Sequence, residues 1–168
     1  MPNRPRALTG LAALLTLLAT PATAQVIRHA NTPTPGIILQ SVTVKPGAEM
    51  LYLSGQLAAP LVPGKTEGIE AYGDTKTQTA SVLTKIKAIL ASHGYAMSDV
   101  IKLTVFLAGD PKLGGKLDAA GMNEAFKTFF GSADNPNTVA RSTVQVAALV
   151  NPNFLVEIEA TAAKVPAR

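Results

Sequence analysis

The hydrophobic pattern of the chain changes period at Asp74, and that change does most to limit the folds open to it. Residues 37–44 and 49–55 read as extended, the first rich in β-branched side chains and the second carrying Leu51, Tyr52 and Leu53. From Asp74 onward Val82, Leu83, Ile86, Ile89 and Leu90 recur three and four residues apart, which puts them on one face of a helix. Asp74 is placed to cap that helix and Gly94 to stop it. Extended character returns at residues 100–107. A second helix follows over residues 117–130, with Met122, Phe126, Phe129 and Phe130 on its apolar side. Alternation at period two closes the chain over residues 142–149 and 154–162. The order β-β-α-β-α-β-β predicts an α+β fold, a mixed sheet with two helices packed on one face. Lys45-Pro46-Gly47 predicts a hairpin between the first two strands. Residues 25–36, with Pro33 and Pro35, read as irregular, and the Pro- and Gly-rich residues 58–73 as a loop.

Ahead of this pattern stands a segment of different character. Arg4 and Arg6 precede a Leu/Ala-rich run over residues 7–19, and Pro21-Ala22-Thr23-Ala24 ends in a small-x-small site. This is the grammar of a secretory signal peptide, so residues 1–24 are expected to be cleaved after Ala24, leaving a single domain over residues 25–168. The run is shorter than the roughly 20 apolar residues of a membrane span, so no stable membrane anchor is expected after cleavage. The destination is the bacterial periplasm or the exterior. Losing Arg4 and Arg6 reduces the formal net charge from +4 to +2, too little for a nucleic-acid partner to be expected. The chain has no cysteine and two histidines, which excludes a disulfide framework, a thiol nucleophile and a cysteinyl metal site and leaves little for zinc. No phosphate loop or HExxH pattern is present.

Few residues of the mature chain qualify for chemistry. Its arginines are Arg28, Arg141 and Arg168; the first and last lie near the ends, where solvated charge is the default. Arg141 opens a strand after the turn-rich residues 131–138, where a planar fork of donors suits a carboxylate, although pairing with a neighbouring acid would also explain it. Glu157 and Glu159 share one strand face, as an acid/base pair or as solvated charge facing lysines. Gly55, between Ser54 and Gln56, marks a close backbone approach or a simple bulge. Asn123 stands beside Met122 on the second helix.

Taken in order, Tyr52-Leu53-Ser54-Gly55-Gln56, Gln78, residues 99–107, Met122-Asn123-Glu124-Ala125-Phe126, Ala140-Arg141-Ser142-Thr143-Val144-Gln145-Val146 and Val156-Glu157-Ile158-Glu159-Ala160 resemble the RidA (YjgF/YER057c/UK114, L-PSP) family across essentially the whole mature domain. The resemblance implies a chorismate-mutase-like α+β subunit and a homotrimer with three inter-subunit clefts. It also implies hydrolysis of enamine/imine intermediates, such as 2-iminopropanoate or 2-iminobutanoate, to keto acids and ammonia without a cofactor. Carried over by position, Arg141 matches the arginine that holds the substrate carboxylate and Glu157 the glutamate that holds the attacking water. Ser54, Gly55, Asn123 and Thr143 match positions lining the cleft. The chain departs from the pattern at Ile37 or Ile38, where the family's deaminases usually carry a tyrosine, and at Thr143, where a cysteine is frequent. The alternatives are a periplasmic trimer that binds small carboxylates without turnover and, more weakly, an endoribonuclease.

Overall fold

The computed structural model describes residues 25–166; the expected leader, residues 1–24, and Arg168 lie outside the described residues. In chain order the elements are β1 (Val26–Ala30), β2 (Leu39–Val44), β3 (Glu49–Leu57), α1 (Thr75–Ser92), β4 (Val100–Leu107), α2 (Ala119–Phe129), β5 (Ala140–Gln145) and β6 (Val156–Lys164). The six strands form one mixed sheet in the order β1-β2-β5-β4-β6-β3.

Both helices begin where a carboxylate can take up free N–H groups. Asp74 accepts from the Thr77 amide at 2.8 Å, and Asp118 accepts from the Gly121 amide at 2.8 Å. That hydrogen bond holds the Asp74 carboxyl below the ordinary range. Gly94 adopts a φ of 74° just past the end of α1, a conformation that favours glycine. Along α1, Val82, Leu83, Ile86 and Leu90 are fully buried; they join Leu103, Val105 and Leu107 of β4 and Ile158, Ala160 and Ala162 of β6 in one core. Burying each such aliphatic side chain contributes about 1.5–3 kcal/mol. Helix α2 packs on α1 and adds Met122 and Phe126 to the same core.

The structure corrects the expected hairpin between β2 and β3. β3 is an edge strand paired antiparallel with β6, whereas β2 lies near the other edge, antiparallel to β1 and parallel to β5. The partner of β2 is β1, which falls within the stretch expected to be irregular. Pairing runs from Val26↔Val44 to Ala30↔Leu39, and the Lys45 amide donates to the Gln25 carbonyl at 2.9 Å, so the turn after β2 is tied to β1. Arg28 is likewise not a solvated terminal charge. It is half-buried, and its Nη2 donates to the carbonyls of Ser98 and Val100, fastening β1 to the start of β4.

Two strand boundaries also move inward. β5 ends at Gln145, whose side chain leaves the ladder pattern to accept from the Leu117 amide and donate to the Gly115 carbonyl. β6 starts at Val156 because the Phe154 amide is used in a turn to Asn151 O and the Leu155 amide by the side chain of Gln78.

Register sets which face each side chain occupies. Arg141, Leu103 and Ala160 stand in one row across β5, β4 and β6, whereas Val144, Phe106 and Glu157 stand in another. Leu103 and Ala160 lie in the core beneath the helices, so Arg141 shares the helix-covered face. Glu157 lies on the opposite face, which no element among the described residues covers.

Candidate functional site

Arg141, the second residue of β5, points to the flank of α2. Its Nη2 donates to Asn123 Oδ1 at 2.8 Å and its Nη1 to Met122 Sδ at 3.5 Å, and the guanidinium carbon stands 4.4 Å from the centroid of the Phe126 ring. Residues 122, 123 and 126 present these three groups together because positions three and four apart share a helix face. Phe126 therefore serves both as core and as the surface on which the cation rests. The family resemblance puts Asn123 at the cleft, whereas periodicity gives Phe126 only to the core, since it identifies a buried ring without showing what lies against its face.

Burial pushes the Arg141 guanidinium below its ordinary pKa, and no neighbouring acid opposes that push. Among the described residues the ion pairs are Lys76–Glu124 and Lys164–Glu49, neither of which involves Arg141. Of the two explanations that the sequence leaves open, pairing with a neighbouring acid thus fails among the described residues. A half-buried cation oriented by a neutral amide and an aromatic ring is suited to an anion supplied from outside. Thr143, two residues along the same face, has a buried Oγ1 without a hydrogen-bond partner.

Glu157 belongs to a second cluster. It pairs with Leu57 of β3 and Phe106 of β4, and the β3–β6 register shifts between Leu53 and Gln56, leaving Ser54 and Gly55 in an irregularity. A Cβ at Gly55 would overlap the Glu157 carboxylate and lie 2.8 Å from its Cδ, so the missing side chain is what lets the carboxylate lie against the backbone. Ser54 is exposed beside them, its carbonyl accepting from Gln56 Nε2 at 3.0 Å. Glu159 shares the face of Glu157 but is exposed, and the atoms nearest a Cβ at Gly55 all belong to Glu157.

The six candidate positions thus form two groups: Arg141, Asn123 and Thr143 on the helix-covered side, and Glu157, Gly55 and Ser54 at the open side. One group can hold an anion and the other can hold water. Within one chain the sheet itself separates them. Among the described residues no group of three His, Asp or Glu side chains is arranged to hold a metal ion.

Comparison with known proteins adds to this geometry. The family model described as Endoribonuclease L-PSP matches residues 40–164. A RutC family protein of Pyrococcus horikoshii is 39% identical over 140 residues, covering 83% of this chain and 98% of that one. Among solved structures, YyfB of the conserved Rid family from Yersinia pestis has a TM-score of 0.63 at 25% identity, covering 85% of this chain and 100% of its own. Escherichia coli TdcF, solved with bound serine, has a TM-score of 0.54 at 33% identity, covering 82% and 94%.

Proposed function

The chain belongs to the RidA (YjgF/YER057c/L-PSP) family, and on that premise we propose that it hydrolyses reactive 2-imino acids to 2-keto acids and ammonia in a cleft shared by neighbouring subunits of a homotrimer. The observation that carries this reading is the Arg141 guanidinium, half-buried, aimed by Asn123 and Phe126, and unanswered by any carboxylate of the described chain. TdcF, which holds serine in its crystal structure, supports a small carboxylate as the ligand class.

The chemistry asks little of the protein. The carbon of an imine is already electrophilic, so the subunits need only fix the substrate, present a water and move protons. Arg141 and Asn123 hold the carboxylate, with Thr143 beside them. Glu157 of a neighbouring subunit, seated against Gly55 of its own chain, accepts a proton from water as the water oxygen bonds to the imine carbon. That proton passes to nitrogen to give a carbinolamine; Glu157 then takes the hydroxyl proton and delivers it to the amine, so the carbon–nitrogen bond breaks, the carbonyl forms and ammonia leaves. Because Arg141 and Glu157 occupy opposite faces of one sheet, a second copy is required to bring them together. Export by the leader over residues 1–24 would place this activity in the periplasm or outside the cell.

The test generates imines in situ with an amino-acid oxidase and measures ammonia and keto-acid release. Arg141→Ala is expected to abolish the enzymatic component while the oligomer stays intact by sedimentation; a variant with unchanged release overturns the reading. A second reading, a trimer that binds small carboxylates without turnover, is favoured by Ile37-Ile38 where deaminases carry tyrosine. Calorimetric binding of a small carboxylate without ammonia release would select it.

A further inference from the structure

Gln78 lies in the first turns of α1, has no exposed surface, and uses its amide three times. Nε2 donates to the Gly73 carbonyl at 3.0 Å and to the Asn153 carbonyl at 3.1 Å, while Oε1 accepts from the Leu155 amide at 2.8 Å. The Leu155 carbonyl in turn accepts from the Ala108 amide at 3.0 Å, so the peptide groups on either side of Leu155 are both held. Pairing of β6 with β4 begins at the next residue, with Leu107↔Val156 and then Phe106↔Glu157. Side chains alternate along a strand, so a slip of one residue here would carry Glu157 from the open face into the helix-covered one. The same side chain also reaches the loop that follows Gly55. It bonds Gly73 at the end of that loop, and Asn153, which it holds, donates from Nδ2 to the Thr66 carbonyl at 3.1 Å.

We propose that Gln78 is a positioning residue for the reaction: by fixing Leu155 and Asn153 it sets the register of β6 and keeps the Glu157 carboxylate seated against Gly55. This rests on the reading of Glu157 as the water-holding group, and it assigns a buried helix amide to the half of the site that Arg141 does not serve. The buried residues Val156, Ile158 and Ala160 decide which face of β6 meets the helices, and the three bonds of Gln78 fix the point along β4 at which that pattern begins.

The experiment compares Gln78→Met, which keeps the volume and removes every hydrogen bond, with Gln78→Glu, which keeps the acceptor for Leu155 and removes both donors. Leu83→Ala, a cavity in the same helix, is the control for lost stability alone. Imine hydrolysis is measured per folded protein. Gln78→Met is expected to lower kcat about tenfold to a hundredfold, as a displaced catalytic group does, with KM within about twofold because Arg141 is untouched. Gln78→Glu should fall between it and wild type, and Leu83→Ala should keep kcat. Should Gln78→Met fail to fold, Gln78→Glu carries the same comparison. A Gln78 variant with wild-type kcat, or an equal loss in Leu83→Ala, overturns the proposal. If the wild type itself releases no ammonia, the functional reading fails separately. Crystal structures then decide the positioning claim: Glu157 displaced from Gly55 in the Gln78 variants supports it, and Glu157 unmoved refutes it.

Discussion

At Gly55 the chain uses the absence of a side chain to place another one. A methyl group there would overlap the Glu157 carboxylate, so Gly55→Ala is expected to push that carboxylate outward. Imine hydrolysis should fall about tenfold or more, with little change in melting temperature because Glu157, part-buried on the open face, can move without disturbing the core beneath the helices. Kinetics beside thermal unfolding check this; an alanine variant with full activity would show that Glu157 tolerates other positions. The sequence made Gly55 visible as a close approach but not the atom that approaches it, because the contact joins β3 to β6 across a register irregularity. Arg141 was legible for a different reason, as an arginine away from both chain ends. Its supports were legible unequally: Asn123 through the family resemblance, and Phe126 only as core.

The elements were legible where local chemistry defines them. The Asp74 cap and the apolar spacing of α1 were both readable, and both are present in the structure. Asp74→Ala is expected to cost about 1 kcal/mol of stability at neutral pH. The Asp74 carboxyl titrates below its unfolded value, so its stabilising effect is complete above the unfolded carboxylate pKa and is lost as pH falls through the lower folded one. Chemical denaturation of both proteins at several pH values should therefore show the difference shrinking in acid; a difference independent of pH would mean that the carboxylate charge plays no part. Strand partners were less legible. A strand with one apolar face fits several neighbours equally, and β1 carries Arg28 and His29 and no strong alternation, so nothing local announced that β1 rather than β3 would pair with β2.

For the molecule as a whole, the open sheet face is the feature that asks for company. Tyr52 is 73% exposed and Val144 45% exposed on it, in the same face as Glu157. In the proposed trimer this face meets a neighbour, and Tyr52→Asp is expected to yield monomers in sedimentation velocity; trimers of unchanged stability would place the interface elsewhere. The separation of Arg141 from Glu157 gives a sharper measurement. Arg141→Ala and Glu157→Gln, each inactive alone, should regain part of the wild-type rate when unfolded together and reassembled, because some clefts then combine an intact arginine with an intact glutamate. No recovery would mean that each cleft draws both residues from one chain.

The hydrogen bond from Arg141 to Asn123 has a consequence for the proposed export. An amide does not titrate, and a guanidinium keeps its proton at every physiological acidity. Had an aspartate filled the place of Asn123, acid would have released the arginine and alkali engaged it, making ligand capture a gauge of the surroundings. With the amide, the grip on a carboxylate should stay level between about pH 5 and pH 8, where small carboxylic acids are themselves ionised. Titration calorimetry across that range would reveal any slope. Such indifference to acidity would suit a protein that works where the cell does not regulate the proton concentration around it.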